Sequence, residues 1–230
     1  MVLKSVPVMK LSLEAFAIFL GVTAGFLAED FREFRAERRQ EQQALAQILR
    51  DLELDAADIE PFVEASRGMA EALLWIHNGL SRSVSADSVV LVINSIPAIA
   101  SYEAANAAYA GLKAGGDLDL IRDPALLERL FYYFEDRQPA VEQLNEWALE
   151  ADAWFWKHLA PYVGYDTSVT FLDPPAIVRL DLAGLKEDRT FRSELVWHGG
   201  SIEVLARDGQ PVLSLNAELT EAVSQRLGVN

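Results

Sequence analysis

Between Lys10 and Glu29 the chain carries 18 residues, LSLEAFAIFLGVTAGFLA, with a single charge at Glu14, and a densely charged segment follows at once. As a helix this run measures about 27 Å, enough for the roughly 30 Å hydrocarbon layer once flanking side chains reach outward. The run predicts one transmembrane helix over 11–28, preceded by a tail at 1–10, and the rest of the chain must hang from it. A buried core helix is the competing fate, because the run is at the short end for a span. A cleaved signal peptide fits poorly, since Phe26 stands where a small residue is wanted in Gly25-Phe-Leu-Ala-Glu29.

Within the run, Ala17, Gly21 and Gly25 recur every four residues and share one helix stripe. Small residues at that spacing let two membrane helices approach closely, so the stripe predicts packing against another membrane subunit, with the lipid bilayer around the remaining faces. Glu14 lies one turn inside Lys10. It either pairs with Lys10 at the headgroups or turns its carboxylate toward a partner subunit. Lys4 and Lys10 precede the run while Arg32, Arg35, Arg38 and Arg39 follow it, and a count of cations keeps the C-terminal side in the cytoplasm.

From Asp30 to Glu60 there is neither Gly nor Pro, which predicts that the helix continues outward as a charged extension over 29–60. Leu45, Leu49, Leu52, Ala56 and Ile59 form a narrow apolar seam on it, suited to docking on the chain's own helices. Pro61 predicts a break or kink, after which Phe62 to Ile76 reads as the second arm of a helical hairpin ending at Asn78-Gly79. Val89 to Ala100 reads as a buried core segment, and Ser101 as the cap of a helix running through Tyr109 to Lys113. Leu127, Phe134, Val141, Ala148 and Phe155 repeat every seven residues, predicting a long helix kinked at Pro139 and ended by Pro161. The segment up to Pro175 is the most irregular. A further helix from Asp188 is predicted to be interrupted at Gly199-Gly200, to turn at Asp208-Gly-Gln-Pro211, and to resume as a terminal helix. No strand alternation is sustained, so the predicted fold is all-α: a transmembrane helix continuing into a long helix, plus a helical bundle domain over 61–230.

A formal net charge of −15 leaves no broad basic face for phosphates, which argues against nucleic acid as a partner. Cysteine is absent, so a metal site would need histidine and carboxylates. His77, His158 and His198 are far apart in sequence. Glu142, Glu146 and Glu150 form a stripe beside the heptad seam that could face His158, although a solvated acidic face explains it more simply. Neither a nucleophile elbow nor a phosphate loop is present, and no cofactor or catalytic residue is expected. Trp154-Phe155-Trp156 is the most conspicuous aromatic cluster. Adjacent helical residues point in different directions, so the three rings cannot share one core: either they pack inside with one indole partly exposed, or a ring meets a partner or the membrane interface.

Glu14 near the start of the apolar run, the charged Glu29 to Arg39 helix, and the block Tyr109-Ala-Gly-Leu-Lys-Ala-Gly-Gly-Asp-Leu-Asp-Leu-Ile121 with Leu126, Leu127, Leu130 and Tyr132-Tyr133 carry a resemblance. They are similar to a family of uncharacterised bacterial proteins with one N-terminal membrane span and a helical domain of unknown function. The resemblance covers most of residues 11–135 and implies a single-pass protein of the bacterial inner membrane with its helical domain on the periplasmic side. Family members leave the membrane through an Asn- and Trp-rich stretch, whereas this chain has Glu29-Asp-Phe31. No activity accompanies the family. The sequence thus predicts a non-enzymatic structural or accessory subunit of a larger membrane complex, with a membrane-tethered sensor or ligand-binding module as the alternative.

Overall fold

A computed structural model describes residues 8–99, 101–166 and 176–229; for 8–15 and 17 it describes the backbone alone. Helix α1 (Val8–Leu80) runs unbroken for 73 residues, about 110 Å. Then come α2 (Ala86–Asn94), α3 (Ala107–Gly115), a 3-10 turn at Leu118–Leu120, α4 (Pro124–Tyr132), a widened π turn at Tyr133–Arg137, and α5 (Gln138–Leu159). Strands β1 (Val163–Tyr165) and β2 (Ile177–Leu180), α6 (Leu182–Glu187) and the 39-residue α7 (Arg189–Leu227) complete the chain. The fold is all-α with one small antiparallel ribbon, pairing Val163 with Leu180 and Tyr165 with Ile177 around a bulge. Of the irregular stretch expected up to Pro175, residues 167–175 lie outside the described residues.

Helices α1 and α7 form the spine and run antiparallel. Their contacts step in opposite senses, with Gly199 against Leu73, Gly209 against Val63, the Asn216 amide on the Leu52 carbonyl, and Arg226 on Glu41. Two buried clusters lie along this pair. One joins Leu45, Leu52, Phe62, Tyr109, Leu130, Tyr133, Val141 and Leu219. The other joins Met69, Leu73, Ile93, Phe155, Leu159, Phe191 and Ile202. Four of the five heptad positions, Phe134, Val141, Ala148 and Phe155, are buried as the sequence predicts, and Leu127 is partly buried against the same core.

The proline and glycine signals misplace three breaks. Pro61 does not divide α1 into a hairpin, so the expected boundary at residue 60 falls inside a continuous helix that joins the bundle from Glu41 onward. Pro61 is exposed, as is Ala57, whose carbonyl the missing N–H leaves free for water, while Ile59, Phe62 and Val63 hold the opposite face in the core. Gly199-Gly200 and Asp208–Pro211 likewise lie inside α7. Gly209 is needed there for close approach, since a Cβ would stand 2.5 Å from Val63 Cγ2, and Pro211 is exposed. Ser101 caps no helix; α3 starts at Ala107.

Where the sequence predicts a kink at Pro139, a π turn at Tyr133–Arg137 precedes the proline. The Gln138 N–H reaches back five residues to the Tyr133 carbonyl, and this π turn directs both Tyr133 and Phe134 inward. The run after Val89 is amphipathic rather than wholly buried: Val89 and Ile93 face the core while Leu91 is exposed. Its Asn94 serves as a strand substitute, donating to the Ile177 carbonyl at 2.9 Å and accepting from the Ile177 N–H at 3.0 Å.

Candidate functional site

Three places in the molecule depart from ordinary core packing. The first is the stem, the part of α1 that precedes the bundle. Phe16, Ile18, Phe19, Leu20, Val22, Phe26, Leu27 and Phe31 are each at least half exposed. A Cβ added at Gly21 or Gly25 would meet nothing within 4 Å, so no other part of the described chain covers that stripe. The side chains of Glu14 and Ala17, like those of 11–13 and 15, lie outside the described residues. Among the described residues no helix is long and apolar enough to cross a membrane. Of the predicted span 11–28 the backbone is helical throughout, and side chains are described at 16 and 18–28.

The stem meets the bundle through ions. Glu37 accepts from the Arg122 guanidinium, and Glu41, almost fully buried, accepts from the Arg122 N–H at 3.2 Å and from Arg226 at 3.4 Å. Arg226 also lies 3.9 Å from Asp123.

The second place is a sealed carboxylate. Asp55 stands on the bundle-facing stripe of α1 between Leu52 and Ile59, and it is fully buried. Tyr102 donates to its Oδ1 at 2.7 Å, the Ala105 N–H donates to the same oxygen at 3.1 Å, and Tyr133 donates to Oδ2. Asn216 of α7 donates to the Tyr133 hydroxyl at 2.7 Å and to the Leu52 carbonyl at 3.0 Å. One turn earlier, Asp51 accepts from the Ala108 N–H at 2.7 Å. Helix α3 has no side-chain cap of its own, so α1 caps it from outside.

Burial, reinforced by the Asp55 charge, pushes the Tyr102 and Tyr133 hydroxyls far above the usual phenol range, which keeps both as donors. Burial also pushes Tyr109 up to about 12, with the Glu135 carboxylate adding to the effect. Tyr102, Tyr133 and Asp55 are at most 4% exposed, so no solute reaches the carboxylate. The arrangement fastens the 101–137 region, with the block Tyr109–Ile121, to α1. Sequence reading passed over Asp55; its signal is a lone acid in the apolar series Ile48, Leu52, Ile59, Phe62.

The third place is aromatic. Trp154, Phe155 and Trp156 turn inward rather than presenting a free surface: Phe155 is fully buried and both indoles are partly buried. Trp154 stacks on His158, His198 and Phe191, with centroids 4.9, 4.4 and 5.6 Å away, and its N–H donates to Glu194 at 2.5 Å. Trp156 donates to Asp152 at 3.0 Å. His158 Nδ1 lies 2.9 Å from the Trp154 carbonyl, so that nitrogen carries a proton.

Besides Trp75 on α1, the exposed indoles are Trp147 and Trp197, which sequence reading did not single out. They flank a hollow of about 400 Å³ between α5 and α7, shared with Glu150, His198, Ser201 and Val204. Thus the acidic stripe reaches His198 through Glu150, while Glu142 and Glu146 stay exposed and His77 lines a separate small hollow with Leu73 and Gly199. Burial lowers the His198 pKa against the pull of Glu194 and Glu150. Among the described residues no group of three or more His, Asp or Glu is placed to hold a metal ion.

Fold and site together define a helical bundle on a bare apolar stem. Comparison with known protein families, with curated proteins and with solved structures found no match.

Proposed function

We propose that this chain is a single-pass membrane protein whose stem anchors it and whose bundle serves as a structural or accessory part of a larger membrane assembly. One observation carries the reading. The large apolar side chains from Phe16 to Phe31 project into open space on a helix whose other half is closed by its own bundle. Hydrocarbon supplies the missing cover, and 11–28 is the stretch that enters it, with Ala17, Gly21 and Gly25 as the face for a neighbouring helix. The family resemblance supports the same arrangement, with the bundle proposed on the periplasmic side of a bacterial inner membrane.

Alkaline carbonate extraction of membranes from expressing cells tests the anchor. The full chain is expected in the pellet and a chain lacking 1–28 in the supernatant; a full chain released by carbonate overturns the reading. Purification in mild detergent tests the assembly, since other membrane proteins are expected to accompany the chain, and a partner-free monomer removes that part of the proposal. Protease protection in sealed vesicles reports the side. The hollow flanked by Trp147 and Trp197 favours a second reading, a tethered ligand-binding module. A screen of small metabolites that shifts the melting of the chain, but not of its Trp197→Ala variant, is the result that reading requires.

A further inference from the structure

Past the apolar run, the stem sorts its charges by face. Asp30, Glu33, Glu37 and Glu41 follow one another at steps of three and four, so they share a stripe, and that stripe continues as Leu45, Ile48, Leu52 and Asp55 into the bundle. Where it meets the bundle its acids are taken up by Arg122 and Arg226. Arg35 and Arg39 lie on the opposite face, Arg38 and Phe31 on the flank between, and Phe34 beside the acid stripe. All three arginines are exposed, and among the described residues none has a carboxylate within ion-pair distance; Arg32, beside them, is held by Glu29 at 2.6 Å.

Among the described residues the contacts of these arginines are local, and Arg122 of the bundle lies over the neighbouring Phe34 ring at 5.3 Å. Arg35 lies over the Phe31 ring at 4.4 Å, Arg38 over Phe34 at 5.9 Å, and Arg39 donates to the Arg35 carbonyl. This face forms a shallow hollow of about 550 Å³. Like charges three and four residues apart work against a helix unless something outside neutralises them. The acid stripe has the bundle for that; among the described residues no carboxylate pairs with Arg35, Arg38 or Arg39.

We propose that the Phe31–Arg39 face of α1 binds the phosphodiester headgroups of anionic phospholipids. The proposal rests on the membrane reading above. Counted from Ala28 at 1.5 Å per residue, Phe31 stands about 5 Å and Arg35 to Arg39 about 10–17 Å beyond the apolar run, so the long guanidinium side chains reach back toward the phosphates. Guanidinium forks match phosphate oxygens in pairs, and Arg35 and Arg38 are pre-set over their rings. The acid stripe turns away from Arg35 and Arg39, and Glu29 is already paired with Arg32. Stem and lipid thereby fix the rotation of the bundle over the membrane.

The test reconstitutes the full chain into vesicles of phosphatidylcholine and phosphatidylglycerol in equal amounts, extracts it into a neutral detergent, and measures co-extracted lipid by native mass spectrometry. Wild type is expected to retain phosphatidylglycerol over phosphatidylcholine, and Arg35→Gln/Arg38→Gln/Arg39→Gln to lose that preference by about tenfold, in line with the attraction of several basic residues to an anionic surface. The preference should also fall as salt rises. An Asp30→Asn/Glu33→Gln variant, altered on the opposite face, should keep it. A wild type that resists carbonate extraction yet shows no preference overturns this proposal and leaves the anchor standing, as does a triple variant that keeps the preference or an acid-face variant that loses it. A wild type released by carbonate overturns the anchor and this proposal together.

Discussion

The two halves of α1 differ in what covers them. In the bundle half, Ile48, Leu52, Ile59 and Phe62 are fully buried and even the carboxylate of Asp55 has three donors from its own chain. In the stem half, Ile18 and Phe26 are 68% exposed and no second element of the described chain lies against them. Helix formation itself is alike in both, since one run of helix-forming residues crosses the junction without a cap. The difference teaches that α1 is one element with two solvents: side chains of the same chain close one half, and the other half requires an environment from outside.

The same substitution placed in each half breaks or sharpens that comparison most strongly. Leu52→Arg puts an unpaired cation into the sealed core and is expected to destabilise the bundle by more than about 4 kcal/mol, leaving no cooperative transition by circular dichroism. Leu20→Arg should leave the bundle's melting within about 0.5 kcal/mol of wild type. It should instead disfavour insertion by about 3 kcal/mol, read as movement from carbonate pellet to supernatant. If Leu20→Arg lowers the melting of the bundle, the halves are not independent. Next in size is Asp55→Ala, which orphans two tyrosine hydroxyls and the Ala105 N–H and is expected to cost about 3 kcal/mol in urea unfolding. Asp55→Asn, which keeps one acceptor, should cost less.

Sequence was most informative where one periodicity decides one contact. The heptad from Leu127 to Phe155 and the seam from Leu45 to Ile59 both face the core, because side chains spaced by three and four must share a helix face. It misled where local propensity competes with packing. Pro61, Gly199-Gly200 and Asp208–Pro211 are all turn signals, yet the long contact between α1 and α7 carries helix through each, and Gly209 is there so that Val63 can come close. The polar site was hidden for a related reason. Asp55 becomes recognisable only when Tyr102, Tyr133 and Asn216, separated from it by 47, 78 and 161 residues, converge on one point. Within α5 the exposed indole is Trp147, off the heptad seam, while Phe155 of the conspicuous triplet is buried and its two indoles are partly buried.

Gly209→Ala measures how tightly the bundle half closes. Alanine gains about 1 kcal/mol of helix propensity over glycine, but its Cβ would stand 2.5 Å from Val63 Cγ2. Overpacking of that kind costs about 2 kcal/mol or somewhat more, so the net effect is a loss of roughly 1–2 kcal/mol. In a Val63→Ala background the clash is gone and the same change should become stabilising. Persistence of the full loss in that background would mean that the two helices do not meet there.

The smallest effect tests whether the bundle also closes its own polar ends. Asp188 caps α7, accepting from the Phe191 N–H at 2.9 Å and from the Tyr162 hydroxyl at 2.8 Å. The Phe191 backbone bond first, and the Tyr162 bond second, hold its carboxyl below the usual range. Asp188→Ala should therefore cost about 1 kcal/mol at neutral pH, the usual size of a lost N-cap. The sign of the pH dependence follows from the lowered pKa. The cap's contribution is fully present above the unfolded carboxyl pKa of roughly 4 and is lost as pH falls through the lower folded value. The gap in stability between wild type and Asp188→Ala should accordingly be flat from neutral pH down to about pH 5 and close below about pH 4. A gap that widens on acidification would mean that Asp188 is held protonated in the fold, and that the start of α7 is closed by some other group.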